Sequence, residues 1–444
     1  MRVLLVSCYE LGHQPQHVAS AAAVLRDHGH HVEAADLALD PLDDAQIARA
    51  DVVCVAVPMH TAMRLALGIV SRVRAARGDD VRIALYGLYA PLCNPAHVDA
   101  LIGGEYEEEL ARWVDDAMYQ PRSVVLDRLQ HLTPVRDLLP PLHRYARLLD
   151  GEEQRIAGHV ETTRGCVHHC RHCPVPVVYD GRIRIVQPDV VIADIAQQVD
   201  AGATHITIGD PDFLNAVPHA LRVLRAAHAR FPHLTYDVTA KVSHVLRHDA
   251  LLPELRELGV VFVVTAVESL NARVLDILDK GHTAGDAVRA VHLLRSARIE
   301  VRPSLLPFTP WSGLRDWLDL LDFVAAHDLA GSVDPVQLSI RLLVPEGSLL
   351  LAHPEMRRHL DGYDPALLAH RWHHPDPRID ALQRDVAEMV AADADDDTPP
   401  AVTHRRLRLH AEHVAREHGI AWHAGDALAE PVASRPRLSE AWFC

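Results

Sequence analysis

Cys166, Cys170 and Cys173 set three thiols within eight residues, with His168, His169 and His172 between them. Three thiolates this close must converge on one centre or repel one another. A tetrahedral zinc site needs four ligands, and any of the three histidines offers the fourth. A cubane iron–sulfur cluster takes one thiolate on each of three irons and leaves its fourth iron open. The loop follows the stretch 159–163, which reads as the first strand of a barrel-like unit. Barrels place chemistry at strand carboxyl ends, where an open coordination position can face a substrate. That placement favours the cluster, with structural zinc as the alternative.

The rest of the chain must position this loop. Its 444 residues exceed one core, so two or three domains are expected. Residues 1–118 alternate short apolar strands (3–6, 31–34, 52–57, 83–88) with amphipathic helices (16–28, 63–76), and Ile102-Gly103-Gly104 opens a last helix. This is the pattern of an α/β, flavodoxin-like, doubly wound parallel sheet. Residues 119–155 read as a linker. From 159 the alternation resumes, with strands at 159–163, 206–209, 236–238, 260–267, 300–306 and 336–343 and helices between them, such as 190–199. Six such units make a partial (β/α)6 barrel spanning 156–350. The remainder, 351–444, reads as a mostly helical extension with an acidic loop at 393–397.

Composition narrows the function. The formal net charge is -16, from 44 Lys and Arg against 60 Asp and Glu. With no basic stripe, nucleic acid is not an expected partner. No apolar run is long enough to span a membrane and the start lacks a signal-peptide layout, so the expectation is a cytoplasmic protein. Seven Cys in a reducing compartment argue against disulfides. Cys8 and Cys54 read as small buried hydrophobes, Cys93 as a loop thiol, and His13 and His17 as surface residues at the start of a helix.

The Cys-x3-Cys-x2-Cys loop and the elements around it resemble the radical S-adenosylmethionine superfamily. The resemblance implies a 4Fe-4S cluster held by Cys166, Cys170 and Cys173, whose free iron chelates S-adenosylmethionine for one-electron cleavage. It places His172 at the adenine-side position, where relatives carry an aromatic residue. It assigns the turn at Gly209 and Asp210, with Asp212 second, to the methionine ammonium. Lys241, Ser243 and Glu268 go to the ribose hydroxyls and the carboxylate. Arg302 is either a cofactor contact or half of a structural ion pair, and Glu268 carries the same alternative.

Residues 269–281 resemble the subgroup fused to cobalamin-binding domains, and the sheet of residues 1–118 looks like such a domain, which implies cobalamin as a further cofactor. The stretch Ser7-Cys8-Tyr9-Glu10-Leu11-Gly12 offers no cobalt-ligating histidine. The terminus, residues 435–444, resembles that of a radical S-adenosylmethionine family whose tail continues Cys-Cys-Ala-Glu-Pro or Cys-selenocysteine-Ala-Glu-Pro. Cys444 is therefore the expected catalytic thiol, and the natural chain is expected to continue past it through a UGA codon. The implied activity is reductive cleavage of S-adenosylmethionine with methyl transfer to a small molecule, fed by a flavodoxin- or ferredoxin-type donor. Radical carbon transfer to an arsenic or selenium acceptor without cobalamin, and a non-catalytic zinc or iron–sulfur binding protein, are the alternatives.

Overall fold

A computed structural model describes residues 1–92, 95–425 and 435–440. Cys93 and Cys444 lie outside the described residues. The first sheet has six parallel strands in the order β2-β1-β3-β4-β5-β6. They are β1 (Arg2–Ser7), β2 (His31–Asp36), β3 (Val52–Ala56), β4 (Arg82–Tyr86), β5 (Ala100–Gly104) and β6 (Val124–Val125). The strands Val52–Ala56 and Arg2–Ser7 are apolar almost throughout because a parallel sheet is covered on both faces. One apolar layer holds Val18, Leu25, Leu110 and Trp113, and the other holds Ile47, Met63 and Val70. Ile102-Gly103-Gly104 does not open a helix; it ends β5, and the helix begins at Glu107. Two glycines hide the strand in the sequence, yet Gly104 is required there. Its φ is positive, and a Cβ would collide with the Val125 carbonyl of β6.

Residues 119–155 are woven into both sheets. They supply β6 to the first, and β7 (Arg147–Asp150) to the second. Between them Arg136 is buried against Asp194 at 2.6 Å and also bonds the side chains of Gln14 and Gln16.

The second sheet continues through β8 (Glu153–Val160), while β9 (Thr163–Gly165) and β10 (Ile183–Ile185) pair with each other. β11 (His205–Ile208), β12 (Thr235–Thr239), β13 (Val260–Glu268) and β14 (Glu300–Leu305) complete the half-barrel. β8 and β11 to β14 are parallel. The strand expected at 336–343 is instead a 3-10 turn, Pro335–Leu338, followed by one bridge from Phe308 to Arg341. Gln337 explains the replacement: its side-chain carbonyl accepts from Leu305 N at 2.9 Å, doing for the edge of β14 what a sixth strand's backbone would do.

Beyond the barrel an antiparallel pair, β15 (Leu360–Asp364) and β16 (Ala369–Trp372), interrupts the region expected to be helical. Helices Pro377–Asp395 and Pro400–Glu417 follow. β17 (Arg437–Leu438) then pairs antiparallel with β7. Because β7 is itself antiparallel to β8, β17 runs with the barrel strands. Arg435 reaches Glu300 of β14 at 3.3 Å, and Tyr9 donates to Glu440 at 2.5 Å. The segment 435–440 thus links both edges of the half-barrel to the turn after β1. No helix of the described residues is long and apolar enough to cross a membrane.

Candidate active site at the cysteine loop

The cysteine loop leaves β9 and ends at the short helix Val175–Tyr179. Asp210 fixes its root. The carboxylate, 1% exposed at the end of β11, accepts from the backbone N–H groups of Thr162 and Thr163 at 2.6 and 3.0 Å and from their hydroxyls at 2.6 and 2.7 Å. Burial pushes its pKa up to about 6 against the pull of these four donors. A carboxylate so fully engaged has little left for a ligand, so the structure gives Asp210 to positioning. The same grip breaks the strand expected over 159–163 into β8 and β9.

Gly209 sits beside it under the His159 ring, where a Cβ would collide with Nε2. Gly209→Ala is expected to cost about 1–3 kcal/mol through overpacking. Thermal unfolding should show a lower Tm, partly restored by adding His159→Ala.

The three loop histidines each have a partner elsewhere. His168 Nε2 lies 3.2 Å from His244 Nε2, and His172 Nε2 lies 3.4 Å from Glu268. His169 is exposed, packed over Gly181 with Nε2 3.8 Å from Asp180. Among the described residues no group of three or more metal-ligating side chains joins a histidine to a thiol. Cys173 is buried, and burial pushes its thiol up to about 12; burial raises Cys166 as well. Asn215 Oδ1 is 3.8 Å from Cys166 Sγ, while its amide nitrogen is buried without a hydrogen-bond partner, as is Nδ1 of His172. Three apolar-set thiols flanked by unsatisfied donors fit a sulfide-rich cluster better than a closed four-ligand zinc site.

Glu268 ends β13 on a bulge, with φ 62. It meets Lys280 Nζ at 3.1 Å, and both are buried. Burial alone would raise its carboxyl, but Lys280 and His172 outweigh it and hold it at about 2. The charge of Glu268 likewise outweighs burial to raise Lys280, which also feels Cys170 and Cys173. Lys241 is 8% exposed and makes no ion pair with a described residue; its backbone N–H donates to Asp212 at 3.3 Å. Ser243 is half-buried on the helix Val242–Arg247.

Arg302 stands apart. Its guanidinium pairs with Asp334 at 2.6 Å, both groups buried, and it contacts the Pro436 carbonyl at 3.5 Å in the seam beside β17. That ion pair is one of the two roles expected of Arg302. His13 and His17 are also corrected: neither lies on the surface. His13 is buried and stacked on His159 at 4.7 Å, and His17 pairs with Glu10 at 3.1 Å. Cys8 and Cys54 are buried thiols.

Residues 160–324, which contain every group just described from the loop to Arg302, match the Radical SAM superfamily. That match makes 160–324 a radical SAM domain. That family implies a 4Fe-4S cluster and S-adenosylmethionine. Among curated relatives, a protein of Methanocaldococcus jannaschii named as a methylthiotransferase is 23% identical over 281 residues, which are 58% of this chain and 59% of that protein. The chain spans about half the length of the curated relatives it matches. Among solved structures, the cobalamin-dependent S-adenosylmethionine radical enzyme OxsB with aqua-cobalamin bound has a TM-score of 0.67 at 13% identity, covering 96% of this chain and 77% of its own. The radical S-adenosylmethionine methyltransferase TsrM of Kitasatospora setae has a TM-score of 0.58 at 18% identity, covering 74% and 71%. At these identities the likeness is one of fold.

The first sheet is pressed against the cysteine loop. Cys8, Val57, Tyr89 and Leu92, at or beyond the carboxyl ends of the first sheet's strands, share an apolar cluster with Val175, Val178 and Tyr179 of the helix that follows Cys173. Arg164, immediately before the loop, forms an ion pair at 2.7 Å with Glu107, which lies beyond β5.

Proposed function

We propose that the protein is a cobalamin-dependent radical S-adenosylmethionine methyltransferase acting on a small molecule. The observation that carries this reading is the packing just described. The carboxyl ends of the first sheet, where doubly wound sheets bind ligands, face the loop that would hold the cluster. The fold likeness to OxsB and TsrM supports it.

In this reading Cys166, Cys170 and Cys173 hold the cluster, which supplies a single electron to the sulfonium when bound. The chain's own residues bind and orient. Lys241 takes a carboxylate, and Ser243 offers a hydroxyl beside it. Asp212 and the backbone at Gly209 face the ammonium. Glu268 and Lys280 hold each other, and Glu268 fixes His172 before the third cysteine. Residues 1–118 hold the corrinoid without a histidine from the turn after β1, 156–350 form the radical core, and Cys444 serves the acceptor. A flavodoxin or ferredoxin donates the electron.

The test is anaerobic reconstitution with iron, sulfide and hydroxocobalamin, reduction of the corrinoid to the cobalt(I) level with titanium(III) citrate, and then methyl-labelled S-adenosylmethionine. Corrinoid absorbance should remain with the protein through gel filtration, and label should appear on it. A protein that loads the cluster but retains no corrinoid overturns the cobalamin assignment.

A further inference from the structure

The two ends of the cysteine loop meet at one side chain. Tyr179 closes the helix that follows Cys173 and is buried. Its ring lies over Gly165, the residue before Cys166, so closely that a Cβ there would fall 2.6 Å from the ring atom Cδ1. Gly165 also has φ +77, a second reason for glycine at that place. The phenol reaches across to the first sheet and donates to Oε1 of Glu105, the residue after β5, at 3.0 Å. Burial and then the charge of Glu105 push the phenol well above its ordinary range, which keeps it the donor.

Glu105 is 0% exposed, and a carboxylate so placed is costly unless it is paired. Among the described residues its side-chain partners all lie outside the first sheet. Besides Tyr179 they are His131 Nε2 at 3.2 Å and Arg164 Nη1 at 3.8 Å. Arg164 stands on the other flank of the loop, where it pairs with Glu107 at 2.7 Å and Glu161 at 2.8 Å. The turn from β5 into the helix Glu107–Asp115 therefore grips the chain on both sides of the three thiols, at residue 164 and at residue 179.

We propose that Tyr179, held by Glu105, is a positioning residue of the cysteine loop, through which the first sheet sets the angle at which the loop presents its metal centre to S-adenosylmethionine. Tyr179 has this role on the reading that Cys166, Cys170 and Cys173 hold the cluster. Groups that orient metal ligands from one bond further out are typically worth about 10–100-fold in affinity or activity.

The test is a titration of S-adenosylmethionine into the reduced, anaerobically reconstituted full chain, followed by electron paramagnetic resonance. Tyr179→Phe removes one oxygen and keeps the ring on Gly165, so iron, sulfide and far-ultraviolet circular dichroism should match wild type. The concentration that half-converts the signal should rise about 10-fold or more. Glu105→Ala should raise it too, and the double variant should be no worse than Glu105→Ala, because both changes remove the same bond. Glu105→Gln keeps an acceptor oxygen for the phenol and should recover most of the affinity. A Tyr179→Phe protein with the wild-type dependence overturns the role, as do additive losses in the double variant or a loss that only tracks missing iron and sulfide. Wild type that loads no iron and sulfide overturns the cluster reading and this role with it, so the two failures are told apart in the same samples.

Discussion

Replacing Cys166, Cys170 or Cys173 singly by alanine is expected to abolish both iron–sulfur loading and cleavage of S-adenosylmethionine. The three loop histidines already have partners in His244, Glu268 and Asp180. None of these three is therefore poised to substitute for a lost thiol, and a cluster left with two protein ligands has lost its anchorage. The loss should reach background rather than a partial fall, because cleavage needs both the electron and the open iron. Iron and sulfide analysis with anaerobic product assay measures it. Folding should survive, since the root of the loop is held by Asp210 through Thr162 and Thr163 and not by the cysteines.

The second large effect belongs to Lys280. Removing one partner of a buried ion pair leaves an uncompensated charge, and the usual cost is about 3–5 kcal/mol. Lys280→Met strands Glu268 on its bulge beside His172, and urea unfolding should show that loss at neutral pH. Adding Glu268→Gln should recover much of it. The pH dependence has a definite sign. Glu268 is held at about 2, below the ordinary 4.5, so its contribution is present above about 4.5 and is lost as pH falls toward 2. Lys280→Met should flatten that dependence, and urea midpoints between about pH 6 and pH 3 would show it.

Much of this architecture was legible because periodicity reports burial. The strands at 3–6 and 52–57 and the helix at 16–28 are apolar on the faces that the sheet covers, and each appears within a residue or two. What escaped was structure made by other means. Gly103 and Gly104 disguise β5. Gln337 replaces a strand by one side-chain hydrogen bond. β6, β7 and β17 are two to four residues long and exist only because a distant partner pairs with them.

The site shows the same division. Three thiols at fixed spacing announce themselves, and Glu268 stands out as a charge at the end of an apolar run. Lys280, His244, Asn215 and His282 did not, because each matters through a neighbour far away in sequence. His282, for instance, is buried with Nε2 3.2 Å from the Val267 carbonyl. One signal was available. Of the 44 lysines and arginines together only two are lysines, Lys241 and Lys280. Both are buried at the mouth of the barrel. In so arginine-rich a sequence, a compact ammonium marks a place where a planar guanidinium does not serve.

In the proposed enzyme three thiolates leave one metal corner open to S-adenosylmethionine. The most direct measurement is electron paramagnetic resonance of the reduced, anaerobically reconstituted protein, with and without S-adenosylmethionine. A reduced iron–sulfur signal whose shape changes when S-adenosylmethionine is added is the predicted result. Zinc in place of iron, or a signal that S-adenosylmethionine leaves unchanged, would contradict the account.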